Sequence, residues 1–274
     1  MPDVPVSAGL PADLVAQYRR DGYVYPLPAL DPAVAADIRR RIEAFERSQG
    51  SPITKEQRHK PHLMMSFLDE AIRTPAVLDA VEAIIGPDIL CWETALFIKE
   101  AGDPAYISWH QDATYWGLEP FDVLTAWIAL SPSTPASGCM RVVPGSHVGE
   151  LAPHVDTFAP NNMLSRGQEV AVAVDEAEAV DLTLQPGQMS LHDVKIVHGS
   201  EPNRSDDRRI GLAIRYIPTS VRQVAGEGDC AMLVRGVDRF GHFQPDPRPQ
   251  GDFTPEGIAA HKKARDTRMR ILMR

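Results

Sequence analysis

Between about residues 88 and 225, short apolar runs alternate with polar turns. The runs are rich in β-branched residues, and Pro, Gly, Ser and Asn separate them. Many short strands at this spacing predict an all-β sandwich or barrel. The clearest runs are ILCWETALFIKE, VLTAWIALS, CMRVVPGSH, AVDLTLQPGQMSLH, KIVHGS and RIGLAIRYIP.

Helix signals precede this region. A first helix is predicted over roughly residues 10–20. A second begins after Asp31, which is a typical N-cap residue, and has Pro32 at its first position and Gly50 as its stop. These helices are expected to pack outside the strands.

The same capping device occurs twice more. Thr74 and Pro75 open a stretch that ends at Gly86, and Thr254 and Pro255 open the last stretch of the chain. Each pair predicts a helix start, because proline is favoured at the first helical position and a hydroxyl side chain at the cap.

These signals predict one domain over residues 1–274. It consists of a helical part over about 1–87, a β-barrel core over about 88–225 and a C-terminal helix over about 254–272. Residues 145–180 have weak strand patterning, so they are expected to form a long insertion over one rim. Such an insertion is a candidate lid.

Composition narrows the class of protein. The chain has 274 residues, of which 43% are hydrophobic and 24% charged, and its formal net charge is −9. An acidic chain argues against general binding to nucleic acid or to an anionic membrane. The N-terminus lacks a basic start followed by a long apolar run, and no stretch approaches a membrane span. A cytoplasmic protein is therefore expected.

Cysteine usage agrees with that location. Cys91, Cys139 and Cys230 are odd in number, far apart and in no CxxC pair. Reduced thiols are a simpler interpretation than a disulfide framework or a cysteine zinc site.

The stretch SWHQDATYWGL places His110 and Asp112 two positions apart. If this stretch is a strand, both side chains point to one face, with Ser108 in line. An imidazole and a carboxylate that converge are two thirds of a two-histidine, one-carboxylate triad, which holds ferrous iron and leaves positions open. His198 ends an apolar run before a turn and is the best candidate for the missing ligand.

The run RIGLAIRYIP alternates with period two. One face carries Arg209 and Arg215, with Gly211 and Ala213 between them. Two arginines separated by small residues suit the wall of a pocket, since arginine binds a carboxylate with two parallel hydrogen bonds and small residues leave room for a ligand.

Structural interpretations compete with these. An isolated HxD pair arises often by chance, and His147 suits a turn. His192 and Asp193 are adjacent, so on a strand they would point apart. Trp127 is equally consistent with a core aromatic. The other histidines are expected on the surface or in loops: His59, His62, His154, His242 and His261.

With these motifs in place, the sequence resembles the phytanoyl-CoA dioxygenase (PhyH) family, which includes ectoine hydroxylases and tailoring oxygenases of natural-product pathways. The matching segments are WHQD, WIAL, GCMRVVPGSH and HGSEPNRSDDRR. The resemblance implies a mainly β fold with flanking α-helices, a double-stranded β-helix of the jelly-roll, cupin-like type. It also implies Fe(II), 2-oxoglutarate as cosubstrate and O2.

The resemblance carries over to individual residues of the metal site. His110, Asp112 and His198 match the family's iron ligands. Halogenating relatives replace the carboxylate with Ala or Gly, so the presence of Asp112 favours hydroxylation, or another oxidation by the same cofactors, over halogenation.

The resemblance also marks residues for the cosubstrate and the substrate. Arg209 follows His198 by eleven positions, the family's spacing for the arginine that binds the distal carboxylate of 2-oxoglutarate. Ser200 matches a hydroxyl that assists it, and Trp127 falls where the family places a tryptophan near iron. Trp116 resembles a substrate-side aromatic of the ectoine hydroxylases.

The expected activity is that of a 2-oxoglutarate-dependent non-haem iron dioxygenase, an oxidoreductase that oxidises a C–H bond and releases succinate and CO2. The expected partner is a small polar metabolite or natural-product intermediate, with no nucleic acid and no membrane. Lys99 and Arg215 are candidates to meet an anionic group, and Tyr115 and Trp116 to shape a dry pocket.

Three alternatives stay open. The same cofactors serve epimerisation, desaturation and ring closure. A non-oxidative hydrolase could hold zinc at the same ligands and would not need Arg209. An inactive barrel scaffold would have no need of a buried carboxylate, which is costly to retain. Nothing in the sequence gives the oligomeric state.

Overall fold

The computed structural model describes residues 9–272. Residues 1–8, on which the expectation of no signal peptide partly rests, lie outside this range. Among the described residues, no helix combines the length and the apolar character needed to cross a bilayer. The helices in chain order are α1 Ala12–Asp21, α2 Pro32–Gln49, the 3-10 turn Pro61–Leu63, α3 Ser66–Ile72, α4 Pro75–Ile85, α5 Ala113–Trp116 and α6 Pro255–Leu272.

The helix caps confirm most of the predicted boundaries. The Asp31 carboxylate accepts a hydrogen bond from the backbone N–H of Ala33 at 2.7 Å, and Gly50 adopts the left-handed conformation that ends α2. Thr74 does precede α4, but its side chain makes no capping hydrogen bond. The start of α4 is therefore marked by Pro75 at the first helical position, without a side-chain cap.

Most strands belong to two sheets. The larger sheet has seven strands in the order β1-β10-β5-β12-β2-β14-β15, and the smaller has four in the order β3-β11-β6-β9. The strands of the two sheets are β1 Tyr23–Pro28, β2 Ile89–Lys99, β3 Ile107–His110, β5 Leu124–Ala129, β6 Met140–Val142, β9 Val180–Leu182, β10 Gln188–Asp193, β11 His198–Ser200, β12 Arg209–Pro218, β14 Cys230–Arg235 and β15 Gln244–Pro245.

Two short pairs lie outside these sheets. Strands β4 (Leu118–Glu119) and β13 (Arg222–Gln223) form one, and β7 (His154–Asp156) and β8 (Gln168–Val170) form the other. Residues of both large sheets line one cavity, so the sheets face each other. The fold is the predicted one, mainly β with flanking helices in a jelly-roll arrangement.

The alternation of β12 decides which of its residues face the core and which face the cavity. Ile210, Leu212, Ile214 and Tyr216 are completely buried and join one apolar cluster with residues of α2, α3 and α4. The helices therefore cover the outer face of the larger sheet. The inner face of β12 is turned toward the smaller sheet.

The strands extend beyond the predicted core of 88–225. Strand β1 forms one edge of the larger sheet against β10, and β14 pairs with β2 at the other side. Pro26 and Pro28 hid β1 from the sequence pattern, although proline is tolerated on an edge strand where no partner needs its missing N–H. The predicted insertion over 145–180 contains the β7–β8 hairpin and the start of β9.

Candidate functional site

His110 and His198 are opposite each other on neighbouring strands of the smaller sheet. His110 ends β3, His198 begins β11, and the two are register partners. Their ring centroids lie 4.1 Å apart. The antiparallel pairing therefore brings together two imidazoles that are 88 positions apart in the chain.

Asp112 reaches the same place by a different route from the predicted one. It lies two residues beyond β3, in helical backbone conformation directly before α5, so it does not share a strand face with His110. The turn into α5 still directs its carboxylate at the imidazoles, and Oδ1 lies 3.4 Å from His110 Nε2. One ligand atom from each of His110, Asp112 and His198 lies within 4.8 Å of the others, so this group could hold a metal ion.

Backbone carbonyls orient both imidazoles. His110 Nδ1 lies 2.9 Å from the carbonyl of Ser108, and His198 Nδ1 lies 3.0 Å from that of Ile196. A ring that donates from Nδ1 to a carbonyl leaves Nε2 unprotonated, which is the form that binds a metal. Two such nitrogens and one carboxylate oxygen suit ferrous iron.

The protonation states fit a metal site as well. Burial and the nearby His110 lower the pKa of His198 to about 4, so its imidazole is neutral at pH 7. Burial raises the pKa of Asp112, but the neighbouring imidazoles of His110 and His198 and the Arg215 guanidinium outweigh burial and hold it below its usual range. The carboxylate is therefore ionised.

These residues open into a cavity between the two sheets, with about 500 Å³ of space that includes its mouth. Of the predicted site residues, the metal group, Ser200, Trp127, Arg209 and Arg215 line it. The sequence interpretation missed several lining residues: Phe97, Ile107, Thr125, Met140, Leu164 and His192. Thr125 and His192 are register partners in the apolar strands β5 and β10, where a polar side chain on the inward face was the available signal.

His192 and Asp193 do point apart, as their adjacency requires. The ring of His192 lies 5.2 Å from that of His198 and faces the cavity, whereas the carboxylate of Asp193 accepts a hydrogen bond from the backbone of Lys195. Burial lowers the pKa of His192 well below its usual value. His192 is thus a neutral neighbour of the metal group.

Arg209 occupies one end of the cavity and is 2% exposed. Its Nη1 donates to the carbonyl of Gly138 at 2.7 Å, while Nε and Nη2 have no hydrogen-bond partner among the described residues. Trp127 lies beside the guanidinium, with 5.4 Å from Arg209 Cζ to the ring centroid. Burial lowers the pKa of Arg209 to about 10, so it remains a cation at pH 7 and can accept an anionic ligand.

Lys99 lies behind this end of the cavity, outside its lining. Its Nζ donates to Ser200 Oγ at 2.7 Å and also to the carbonyls of Ser200 and Glu201. Burial and the charge of Arg209 lower the pKa of Lys99 to about 6. The structure therefore places Lys99 as a support of Ser200, away from the space a substrate would fill.

The predicted aromatic pair takes two different positions, and neither residue lines the cavity. Trp116 is buried and lies over Arg215, with 4.9 Å from Arg215 Cζ to its ring centroid. Tyr115 points toward the rim, where its hydroxyl donates to Asp156 Oδ1 at 3.0 Å. Tyr115 thus connects α5 to the β7–β8 hairpin.

The rim segment, residues 145–180, is attached directly to β3, the strand that ends at His110. Ser108 Oγ donates to the carbonyl of Gln168 at 2.6 Å, and the backbone N–H of Gln111 donates to His154 Nε2 at 2.9 Å. His154 was expected in a surface position, but it fastens β7 beside the metal group. Leu164 of the same segment reaches the cavity.

Two further histidines correct the surface expectation. His62 is completely buried, with Nδ1 at 2.6 Å from Thr94 Oγ1, and His261 is 5% exposed. His62 contacts β2 through Thr94, and His261 Nε2 lies 2.8 Å from the carbonyl of His59, long-range contacts that local sequence does not reveal. Neither belongs to the metal group.

Known proteins resemble this chain over most of its length. A model of the phytanoyl-CoA dioxygenase (PhyH) family matches residues 18–211. A probable alpha-ketoglutarate-dependent hypophosphite dioxygenase from Stutzerimonas stutzeri is 31% identical over 189 residues, which are 68% of this chain and 65% of that protein. The chain therefore spans slightly less than two thirds of that relative.

Two solved structures share the fold. The non-heme monooxygenase ThoJ, in its apo form, superposes with a TM-score of 0.85 at 37% identity, covering 95% of this chain and 98% of ThoJ. CytC3 with Fe(II) and alpha-ketoglutarate gives a TM-score of 0.65 at 25% identity, covering 90% and 98%.

Proposed function

Because the chain belongs to the phytanoyl-CoA dioxygenase family, we propose that it is an Fe(II)- and 2-oxoglutarate-dependent dioxygenase that hydroxylates a C–H bond of a small polar metabolite or natural-product intermediate, releasing succinate and CO2. The observation that carries this proposal is the combination in one cavity of a metal-competent group with a buried arginine, two of whose nitrogens have no hydrogen-bond partner among residues 9–272. The first binds the iron and the second the cosubstrate.

His110, Asp112 and His198 would hold Fe(II) through the two Nε2 atoms and the carboxylate. Iron, when bound, supplies the centre at which the keto acid and dioxygen meet. Arg209 and Ser200 would bind the distal carboxylate of 2-oxoglutarate, and Trp127 would pack beside them. Lys99 positions Ser200 through its hydrogen bond to Oγ. The buried aromatic and aliphatic walls exclude water from the reacting atoms.

Two observations support hydroxylation over halogenation. The carboxylate of Asp112 is present and ionised, so it would fill the third ligand position. The similar protein ThoJ is described as a monooxygenase, which is the class that inserts oxygen. A zinc hydrolase at the same ligands would leave the free nitrogens of Arg209 without use, which is costly for a buried cation.

The test adds Fe(II) and 2-oxoglutarate to metal-free protein without oxygen. The weak visible charge-transfer band of the chelate is then measured. Wild type is expected to give the band, and Asp112→Ala to weaken or shift it. Asp266→Ala, which removes an exposed carboxylate on α6, is the control and should behave as wild type. Oxygen is then admitted, and succinate release is measured against candidate substrates.

A different result would count against the proposal. No band in wild type, together with tight zinc binding, would favour the hydrolase. Neither a band nor metal binding would indicate an inactive scaffold. A band with succinate release but a product that carries no added oxygen would keep the cofactors and replace hydroxylation with epimerisation, desaturation or ring closure.

A further inference from the structure

Arg215 is a second buried arginine in the cavity, and the proposed cofactors do not use it. It is 6% exposed and lines the same space as the metal group. Its Nε and Nη1 are buried and have no hydrogen-bond partner among residues 9–272. A buried cation without a partner is costly, so an arginine in this position points to a ligand that completes it.

Arg215 lies at the opposite end of the inner face of β12 from Arg209. The two are six residues apart, or about 20 Å along a strand. Arg209 pairs with Lys99, whereas Arg215 pairs with Thr125, which in turn pairs with His192 beside His198. A five-carbon cosubstrate held by Arg209 is too short to span this distance and also reach Arg215.

Aromatic rings hold the Arg215 guanidinium in place. Its Cζ lies 4.9 Å from the ring centroid of Trp116 and 5.9 Å from that of Phe97. Trp116 is fixed in turn by contact with Trp92 and by a hydrogen bond from Gln223 to its carbonyl. Rings over the guanidinium leave its N–H edge free, which is the edge that binds a carboxylate.

The carboxylates near Arg215 do not satisfy it. Asp112 and Glu93 are the acidic groups whose charges act on it most strongly. Neither lies within 4.0 Å of a guanidinium nitrogen in the described part of the chain, and Glu93 Oε1 is taken by Arg268 at 3.0 Å. Neither Asp112 nor Glu93 therefore forms a structural ion pair with Arg215.

We propose that Arg215 receives a carboxylate of the substrate, and that the substrate is a small carboxylic acid whose apolar body lies between Phe97 and the metal group. This inference rests on the proposed function, since it assigns the second ligand of the same cavity. Arg209 binds the acid that is consumed and Arg215 the acid that is oxidised. The C–H bond that reacts is then set by its distance from the carboxylate held at Arg215.

The test compares acids with their neutral amides. Wild type, Arg215→Met and Arg209→Met are titrated anaerobically, with and without Fe(II) and 2-oxoglutarate, by calorimetry and tryptophan fluorescence. The probes are three matched pairs: cyclohexanecarboxylate and its amide, benzoate and benzamide, and L-proline and L-prolinamide. Wild type is expected to bind at least one acid roughly tenfold or more tightly than its amide, because only the acid forms charge-assisted hydrogen bonds.

The variants separate the two arginines. Arg215→Met should abolish the preference for the acid and leave the 2-oxoglutarate chelate band intact, whereas Arg209→Met should weaken the band and keep the preference. Arg215→Lys retains a charge and should keep part of the preference if Arg215→Met folds poorly. Arg222→Met, at an exposed ion pair with Glu119, is the control for a lost surface arginine.

Three results would overturn the inference: no acid preferred over its amide in wild type, the preference unchanged in Arg215→Met, or the chelate lost as severely in Arg215→Met as in Arg209→Met. The last would make Arg215 a cosubstrate residue. If wild type forms no chelate at all, the proposed function fails instead, and the metal-free titrations still show whether Arg215 selects acids.

Discussion

At the scale of single residues, His110 and His198 each direct one ring nitrogen to a backbone carbonyl, and this decides which nitrogen faces the metal group. The residue types and their candidate roles could be predicted from HxD, a strand-ending histidine and an arginine on a small-residue face. The position of Asp112 on the turn into α5 could not, because i and i+2 converge both on a strand and across such a turn. Nor could the site of Lys99, which depends on a contact with Ser200 across 101 positions of chain.

Arg209→Ala tests the cosubstrate end of the cavity. Two lost hydrogen bonds to a charged group remove about 3–4 kcal/mol of binding free energy. At about 1.4 kcal/mol per decade, 2-oxoglutarate should bind several hundred-fold more weakly. Anaerobic titration of the Fe(II) protein measures this directly. Arg204→Ala, at an exposed arginine in the preceding loop, should leave the affinity unchanged, and equal affinity in both variants would remove Arg209 from the site.

At the scale of elements, β12 organises the cavity through its two faces. The period-two pattern predicted both faces, and the structure confirms the apolar one in the core and the arginine-bearing one toward the cavity. The prediction that Gly211 leaves room for a ligand was wrong about what fills the space. Its missing side chain makes room for the ring of Trp127, a protein neighbour, where a ligand had been expected. The pairing of β12 with β5 sets that contact, and sequence spacing alone does not contain it.

Gly211→Ala should therefore disturb both packing and binding. An added Cβ would overlap the indole of Trp127, and that indole lies beside Arg209. Overpacking of this kind costs about 1–3 kcal/mol, and the displaced ring should weaken 2-oxoglutarate binding as well. Urea unfolding and the anaerobic titration measure the two effects.

Two further variants give the Gly211→Ala result its meaning. Gly251→Ala meets only an ordinary contact at 3.5 Å and should be silent. Combining Gly211→Ala with Trp127→Phe should restore part of the stability, since the smaller ring relieves the overlap. A double variant as unstable as the sum of the single ones would show that the clash lies elsewhere.

At the scale of the whole molecule, four of the helices and the mainly β core could be predicted, because capping signals and short apolar runs are local, whereas the jelly-roll type followed from the family resemblance. The extent of the larger sheet could not, since β1 and β14 join it through long-range pairing at its edges. The burial of His62 has the same origin. Its hydrogen-bond neighbour Thr94 is 32 positions away along the chain, so local sequence did not show that a histidine in a polar stretch is a core residue.

This buried histidine makes the stability of the molecule depend on pH. Burial lowers the pKa of His62 from 6.5 to about 4. Because the folded pKa lies below the unfolded one, the unfolded chain binds the extra proton between those pH values. The free energy of unfolding is thus complete above pH 6.5 and falls as pH drops toward 4, by up to about 3 kcal/mol from this residue.

Urea unfolding of the metal-free protein at pH 7.5 and at pH 4.5 measures that loss. His62→Gln keeps a polar group at Thr94 but cannot take up the proton, so its unfolding free energy should fall less between the two pH values than that of wild type. His242→Gln replaces an exposed histidine and should reproduce the wild-type change. The comparison isolates His62 because the metal-binding histidines are the same in all three proteins. An equal loss in His62→Gln and wild type would mean that other buried groups drive the acid sensitivity.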